Sequence, residues 1–403
     1  MLAASKQGSR YPFSFTGRGG EYFKIWIVNI LLSIITLYIY SAWAKVRTNR
    51  YFAGNTVLDN SSFDYHATGK QILLGRIIAV VLLIILTVGG TISPYVSIGG
   101  FVILALLLPW AVWRSIKFNM RMTSYRNVRF GFDGKLGPMY MYLLVMPVIP
   151  LLVAAVVAGG LYLSGIAAAP ELAGIGAIGV FAMYLMYPWV HKRLANYMLR
   201  NYRYGTAKFS GELSTGRFYA IYLKAFVLSL MASFAILLVG GAIAFLVSFL
   251  LSSLGIVSAD FFESFFEDPE QVGQAGSVLA ILSVVFVYLL MFFIGTLVKS
   301  YFYSRVREHL FANGLVDQRV DPESSVTARG LWWVSISNIL ILVFTLGFGY
   351  PWTKVRMARY IADNTAVHAE DSLDNFVSDE RDKVGALGEE FGDAFDMDID
   401  VGF

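Results

Sequence analysis

The chain of 403 residues has no cysteine, which excludes disulfides, thiolate metal sites and thiol chemistry. Histidine is nearly as scarce. The four are His66, His191, His309 and His368, too widely spaced to propose a histidine metal centre. Charge is also sparse: Lys, Arg, Asp and Glu make up 15% of the chain, against about 25% in a soluble domain. Hydrophobic residues make up 57%, gathered in runs near the roughly 20 residues that cross a bilayer. The first 21 residues are polar, so no cleavable secretory signal is expected, and the first apolar segment itself directs insertion.

Eight apolar segments stand out, at 23–43, 73–92, 95–113, 139–163, 172–190, 219–251, 278–301 and 331–352. Backbone groups in lipid must be satisfied within the segment, so these read as helices. The expected fold class is therefore all-α, a polytopic helical membrane protein with internal repeats and six to eight membrane segments. The connections after segments 2, 4 and 6 hold no Lys or Arg. Those after segments 1, 3, 5 and 7 are basic, exemplified by Arg114, Lys117, Arg121, Arg126, Arg129 and Lys135. By the charge rule the basic connections are cytoplasmic. The sixth connection is acidic, with Asp260, Glu263, Glu267, Asp268 and Glu270.

Both chain ends conflict with eight full spans, because each is flanked by basic residues. An internal duplication resolves this. At a constant offset of 309, Asn29-Ile-Leu31, Thr36-Leu37, Trp43, Lys45-Val-Arg47, Arg50-Tyr51 and Asn55-Thr56 match Asn338-Ile-Leu340, Thr345-Leu346, Trp352, Lys354-Val-Arg356, Arg359-Tyr360 and Asn364-Thr365. An aromatic–Arg–aromatic face recurs at i, i+4, i+8, along one side of a helix. Its copies are Trp43/Arg47/Tyr51, Trp110/Arg114/Phe118, Trp189/Arg193/Tyr197, Tyr303/Arg307/Phe311 and Trp352/Arg356/Tyr360. A leading Phe-x-Gly mark precedes segments 1, 4 and 6, as Phe15-Thr-Gly17, Phe132-Asp-Gly134 and Phe209-Ser-Gly211. Segment 1 thus carries both marks of the basic side, and segment 8 carries the trailing one. Both are read as re-entrant, with eight full spans as the alternative.

These residues resemble the YjgN-like family of bacterial inner-membrane proteins. The resemblance covers the chain to about residue 370. It rests on Phe15-Thr-Gly17, the 29–37 stretch, Ala42-Trp-Ala-Lys-Val-Arg47 with Tyr51, Asn55-Thr56, Phe63-Asp-Tyr65, Thr68-Gly69 and Tyr125-Arg-Asn-Val-Arg-Phe130. One departure is Tyr38, where similar sequences carry glycine, which counts against a helix break in segment 1. The resemblance implies a multi-pass protein of the bacterial cell inner membrane. It brings no activity, cofactor or catalytic residues.

The aromatic–Arg faces are the candidate site. An arginine between two rings stacks by cation–π contact while offering a planar fork to phosphate, and inner-leaflet headgroups supply phosphates. The bland counterpart is an interfacial belt that fixes helix depth. Asn29 and Asn338 form a candidate buried polar pair, or simply hydrogen-bond between helices. Arg76 and Lys224 lie near cytoplasmic segment ends and are expected to snorkel. Gly174-x-Gly176-x-x-Gly179 has dinucleotide-fingerprint spacing but follows no strand, so close helix packing explains it better.

Three domains follow: a cytoplasmic segment 1–22, a repeat-built membrane domain 23–368, and an acidic tail 369–403. The tail holds twelve acidic residues against Arg381 and Lys383, and its composition reads as disordered. Val384, Leu387, Phe391 and Phe395 recur at helical spacing, which allows an amphipathic helix to dock on the basic connections. No catalytic constellation or cofactor site is found. The functional reading is a lipid-interacting or membrane-organising protein whose partners are membrane lipids, not nucleic acid. An uncoupled small-solute transporter or channel is the alternative, and an intramembrane enzyme the third.

Overall fold

The polar stretches between the apolar segments are short, but residues that favour tight turns, such as Asp59, Asn60 and Asn127, stand in them. In the computed structural model, which describes residues 8–166, 169–255 and 274–394, these stretches fold as strands and close a ten-stranded antiparallel barrel. The all-α expectation is corrected: the chain is predominantly helical, but the stretches between its helix pairs form a ring of strands.

The order is a repeated strand–helix–helix–strand unit. In the first, β1 (Ser9–Phe15), α1 (Gly19–Ile35), α2 (Ser41–Gly54) and β2 (Thr56–Leu58) follow one another. The second runs β3 (Ser61–Tyr65), α3 (Gly69–Ile92), α4 (Pro94–Arg121), β4 (Thr123–Tyr125). In the third, β5 (Val128–Phe132) leads into α5 (Leu136–Tyr140), a π-helical turn (Met141–Val145), α6 (Met146–Leu163), α7 (Ala169–Asn201) and β6 (Tyr202–Tyr204). The fourth comprises β7 (Ala207–Gly211), α8 (Thr215–Ser253), α9 (Gln274–Asn313) and β8 (Gly314–Val316). The last is β9 (Val320–Ser324), α10 (Ala328–Phe344), α11 (Tyr350–Asp363) and β10 (Thr365–Ala369), and a final helix, α12 (Leu373–Ala394), follows it.

Consecutive units join through tight hairpins. Asp59-Asn60 and Arg126-Asn127 have φ of 45°, 58°, 47° and 67°, the paired left-handed residues of a type I′ turn that matches strand twist. The ring closes where β1 pairs with β10, Ser9 opposite Ala369 and Pro12 opposite Ala366. The chain's two ends therefore form a fifth, split hairpin.

The lumen is packed rather than open. Ten strands enclose more space than the eight whose interior ordinary side chains fill, and rings occupy it. Phe63 lies against Phe13 at 6.0 Å, Tyr125 at 4.8 Å and Phe130 at 6.3 Å, and Phe130 against Tyr204 at 5.1 Å. The Tyr125 hydroxyl donates to Leu58 O at 2.8 Å and that of Tyr204 to Tyr125 O at 3.0 Å. Burial pushes the Tyr125 phenol up to about 12.

Six described helical stretches have the length and hydropathy to cross a bilayer: Gly69–Gly89, Tyr95–Arg121, Leu136–Leu163, Leu172–Asn201, Thr215–Val247 and Val285–Asn313. These are segments 2 to 7 of the sequence reading. Segments 1 and 8 break in the middle. Helix α1 has 17 residues, roughly 26 Å at 1.5 Å per residue, and α2 then returns the chain to the barrel. The break follows from Thr36, whose hydroxyl donates to Leu32 O at 2.7 Å and accepts from Tyr40 N at 2.9 Å, while Leu37 and Tyr38 take φ of 48° and 72°. Thr345 repeats the device on Ile341 O and Gly349 N, with Leu346 at 50° and Gly347 at 88°. Tyr38 occupies the position equivalent to Gly347, so its departure from glycine does not prevent the break. It tolerates a left-handed backbone that costs about 1–2 kcal/mol.

The chain divides into two compact units, 1–219 with 307–326 and 341–403, and 220–306 with 327–340. The barrel lies wholly in the first. Within the second, Tyr222 meets Phe302 edge-on at 4.8 Å and Phe293 meets Trp332 at 5.0 Å.

The tail differs most from expectation. Leu373–Ala394 is a helix, not a disordered stretch, and it caps the hairpin end of the barrel. Leu373, Phe376 and Val377 are buried with Leu58, Tyr125, Val128, Tyr204, Ala207, Val316 and Val320. Of the stripe expected to dock, Val384 is exposed; the side chains of Leu387 and Phe391, and Phe395 altogether, lie outside the described residues, as does the acidic connection at 256–273.

Candidate functional site

Each aromatic–Arg–aromatic face sits at the barrel-proximal end of the second helix of its unit, on α2, α4, α7, α9 and α11. Part of each face is structural. The Tyr51 hydroxyl accepts from Arg18 N at 2.9 Å and donates to Arg18 O at 3.0 Å, bolting the end of α2 to the start of α1. The Tyr197 hydroxyl likewise donates to Lys135 O. This explains the leading motif: a Cβ on Gly17 or Gly134 would lie within 2.9 Å of that tyrosine hydroxyl and of the Phe15 or Phe132 ring. The third Phe-x-Gly is not an equivalent copy. Gly211 is the last residue of strand β7, against Asn313 O, and the position matching Gly134 is Leu213, whose N–H is accepted by Asn196 Oδ1 at 2.9 Å.

Two of the leading tryptophans, Trp43 and Trp352, bind unit to unit. A Cβ on Gly69 would lie 2.5 Å from the Trp43 ring, and one on Gly19 would lie 2.3 Å from that of Trp352. Each tryptophan thus packs on the first helix of the next unit, the last unit reaching round to the first. Arg50 repeats the direction, donating to Tyr65 O at 3.3 Å, and its duplicate Arg359 donates to Gly17 O at 3.0 Å.

The central arginines divide. Arg114 lies over Trp110 at 5.6 Å and Arg193 over Trp189 at 5.2 Å, and Arg47, Arg114 and Arg193 are all exposed. Arg307 lies over Phe311 at 4.2 Å and ties strands together, donating to Ser324 Oγ at 2.9 Å and Thr365 Oγ1 at 2.8 Å. In that copy the fork holds the barrel and Tyr303 is exposed. Arg356 is half-buried beside exposed Trp352. Phe118 packs with Val46, Tyr65 and Ala67.

Around the third face the structure forms a cleft of about 210 Å³ lined by Tyr142, Lys192, Arg193, Asn196, Tyr197, Arg200, Asn201 and Glu212. Three cations meet one carboxylate there, with Arg200 and Glu212 3.9 Å apart. Asn29 and Asn338 are both buried, at 6% and 7% exposure. Asn29 Nδ2 donates to Ala44 O at 3.4 Å, and its Oδ1 accepts from Arg47 at 3.5 Å. Arg76 does not extend to a helix end; it donates to the Ser41 hydroxyl. The glycine fingerprint is packing, since a Cβ on Gly179 would lie 2.5 Å from Ala154.

Sequence reasoning missed the latch of α12. Glu380 has no exposed side-chain surface, and its Oε2 accepts from Thr206 N at 2.7 Å, Thr206 Oγ1 at 2.7 Å and Ala207 N at 2.8 Å. Arg126 bridges Asp59 at 2.8 Å and Asp374, and Arg319 pairs with Asp379 at 2.8 Å. The signal was available: Leu373, Phe376, Val377 and Glu380 have the i, i+3, i+4, i+7 spacing of one helix face.

These features define a transmembrane protein built from a repeated strand–helix–helix–strand unit around a small barrel. The chain belongs to the family described as "Bacterial protein of unknown function (DUF898)", which it matches over residues 10–394. It is 28% identical over 389 residues to Inner membrane protein YjgN of Salmonella typhimurium, covering 93% of this chain and 92% of that one. With Inner membrane protein YjgN of Escherichia coli K12 it shares 24% identity over 373 residues, 88% of each chain. No solved structure matches it.

Proposed function

We propose that this protein is a non-catalytic, lipid-interacting organiser of the inner membrane, with barrel and α12 in the cytoplasm and the repeated faces at the level of the headgroups. The observation that carries the reading is the cleft of the third face, where Lys192, Arg193 and Arg200 gather with Tyr142 and Tyr197 around a single carboxylate, Glu212. Guanidinium forks and an ammonium group are phosphate donors, and an anionic leaflet concentrates phosphates at this depth. The orientation is supported by charge. The connections remote from the strands, between α3 and α4, α6 and α7, and α8 and α9, hold no Lys or Arg. The ring-filled lumen counts against conduction through the barrel.

The test is retention of phosphatidylglycerol by the full chain purified in mild detergent. Changing Lys192, Arg193 and Arg200 together to alanine lowers the retained anionic lipid by about half or more, and Arg193→Lys restores only part because the planar fork is lost. Wild-type lipid content in the triple variant refutes the reading.

A further inference from the structure

Two arginines meet the re-entrant hairpin of the first unit well away from the barrel. Arg47 Nη1 donates to the Tyr40 hydroxyl at 3.2 Å and to Asn29 Oδ1 at 3.5 Å, and Arg76 Nη1 donates to the hydroxyl of Ser41. Tyr40 and Ser41 are consecutive residues at the start of α2. Among the described residues, neither guanidinium has a carboxylate within ion-pair distance. Arg76 stands seven residues along α3 from Gly69, roughly 10 Å up the helix, and Leu74, Ile77 and Ile78 beside it are exposed.

The other seam of the same kind shows what a purely structural solution looks like. Trp43 on Gly69 and Trp352 on Gly19 align the two seams, so Arg76 corresponds to Trp26 and Ser41 to Tyr350. There the rings of Trp26 and Tyr350 stack at 5.9 Å. The α2–α3 seam replaces that neutral stack by a cation and a hydroxyl, and places a second cation on the neighbouring tyrosine. Cations in apolar surroundings are costly without a counter-charge, and the described residues bring none within ion-pair distance.

We propose that this seam is a phosphate site filled by one membrane phospholipid. Arg47 and Arg76 grip the phosphodiester, the Tyr40 hydroxyl, which accepts from Arg47, donates its own proton to it, and the acyl chains lie along the exposed aliphatic face of α3. The Ser41 hydroxyl, donating to Tyr38 O and accepting from Arg76, holds Arg76 in place. The apolar flank selects a lipid over a soluble oxyanion. This rests on the headgroup reading above but concerns residues outside the third-face cleft, so the two fail separately.

The experiment is native mass spectrometry of the full chain released from nanodiscs of phosphatidylethanolamine and phosphatidylglycerol, with Kd from lipid titration. Arg47→Gln/Arg76→Gln loses one tightly held phospholipid and weakens binding at least tenfold. Arg76→Trp/Ser41→Tyr, which rebuilds the stack of the other seam, loses the same lipid while keeping or raising Tm, so a folding defect is not the cause. If both variants retain the lipid at wild-type affinity, the inference is overturned. Displacement of the lipid by 10 mM inorganic phosphate also overturns it, in favour of a soluble oxyanion. If the Lys192/Arg193/Arg200 variant loses lipid and the seam variants do not, only this inference fails. If none does, the headgroup reading fails as well.

Discussion

Glu380 is the residue whose loss has the most calculable consequence. Its carboxylate is fully enclosed, accepts three hydrogen bonds from the β6–β7 turn, and meets Lys383 Nζ at 2.8 Å. Hydrogen bonds to a charged group contribute roughly 1.5–3 kcal/mol each, and leaving buried donors unpaired carries a further cost. Water re-enters beside the turn in Glu380→Ala, so the net weakening of α12 docking is about 3 kcal/mol, on the order of a hundredfold in the docked-to-open ratio. The absence of cysteine makes the assay clean: with Val377→Cys as background, a maleimide reacts only when α12 lifts, because Val377 is buried. Adding Glu380→Ala raises the labelling rate on the order of a hundredfold, and Glu380→Gln, which keeps a carbonyl acceptor, raises it by about tenfold. A change of less than threefold in the alanine variant refutes the view that this latch holds the helix.

Acid should open the same latch. Burial alone raises the pKa of Glu380, but bonds from Lys383, Thr206 and Ala207 outweigh it and hold the carboxyl below its ordinary value of 4.5. A lowered folded pKa stabilises fully above the unfolded value and ceases to do so as pH falls through the folded one. Hydrogen exchange at Thr206 and Ala207 therefore accelerates, relative to intrinsic rates, only below that ordinary value, and Glu380→Gln removes the acid dependence. At the barrel seam, Glu323 joins His368 at 2.7 Å and Arg10 at 2.9 Å, and these bonds, that from His368 foremost, hold its carboxyl low. The β1–β10 pairing loosens in the same acid window, seen as exchange at Tyr11 and Val367, and Glu323→Gln abolishes the pH dependence. Gly69→Ala drives a methyl into the Trp43 ring and lowers stability by about 1–3 kcal/mol, measured as Tm in detergent; an unchanged Tm would show that this contact is loose. In spheroplasts, cysteine at Ser164 reacts with an impermeant thiol reagent and cysteine at Glu370 does not; the reverse pattern inverts the orientation.

The helical spans were legible because a bilayer demands long uninterrupted apolar runs, and six of the eight runs became membrane-length helices. The duplication was legible because it kept residues with fixed geometric duties: Thr36 and Thr345 cap the same break, while Arg50 and Arg359 hold the next unit. The strands were not legible as strands. Four of the ten have three residues, too few for alternation to register, and each is worth little until nine others close the ring. What the text held was their turns, Asp59-Asn60 and Arg126-Asn127, and the inward rings of Tyr125 and Phe130. The faces were found, but their common role was misjudged. Spacing puts three side chains on one side of a helix without telling that Tyr51 and Tyr197 bond backbone or that Arg307 ties strands.

Why the two terminal units are short follows from how the ring closes. Each internal hairpin joins two units covalently, but β1 and β10 meet only through pairing, so the seam must be held by contacts alone. Short, broken helix pairs let α1 and α11 pack directly beside that seam, with Phe23 against Trp352 at 5.3 Å, Trp26 against Tyr350 at 5.9 Å, and Phe15, Tyr22, Val355 and Ala362 in one buried cluster. Cutting this cluster should open the barrel at one place only. Tyr22→Ala removes a buried ring that stacks on Tyr51 at 5.3 Å, for which large-to-small truncations of aromatic core residues cost about 3–5 kcal/mol. The loss should appear as exchange in β1 and β10, while the β4–β5 and β6–β7 hairpins, covalently closed and covered by α12, keep their protection. Uniform loss of protection around all ten strands would mean that the barrel melts as one cooperative body and that the seam is not its weak point.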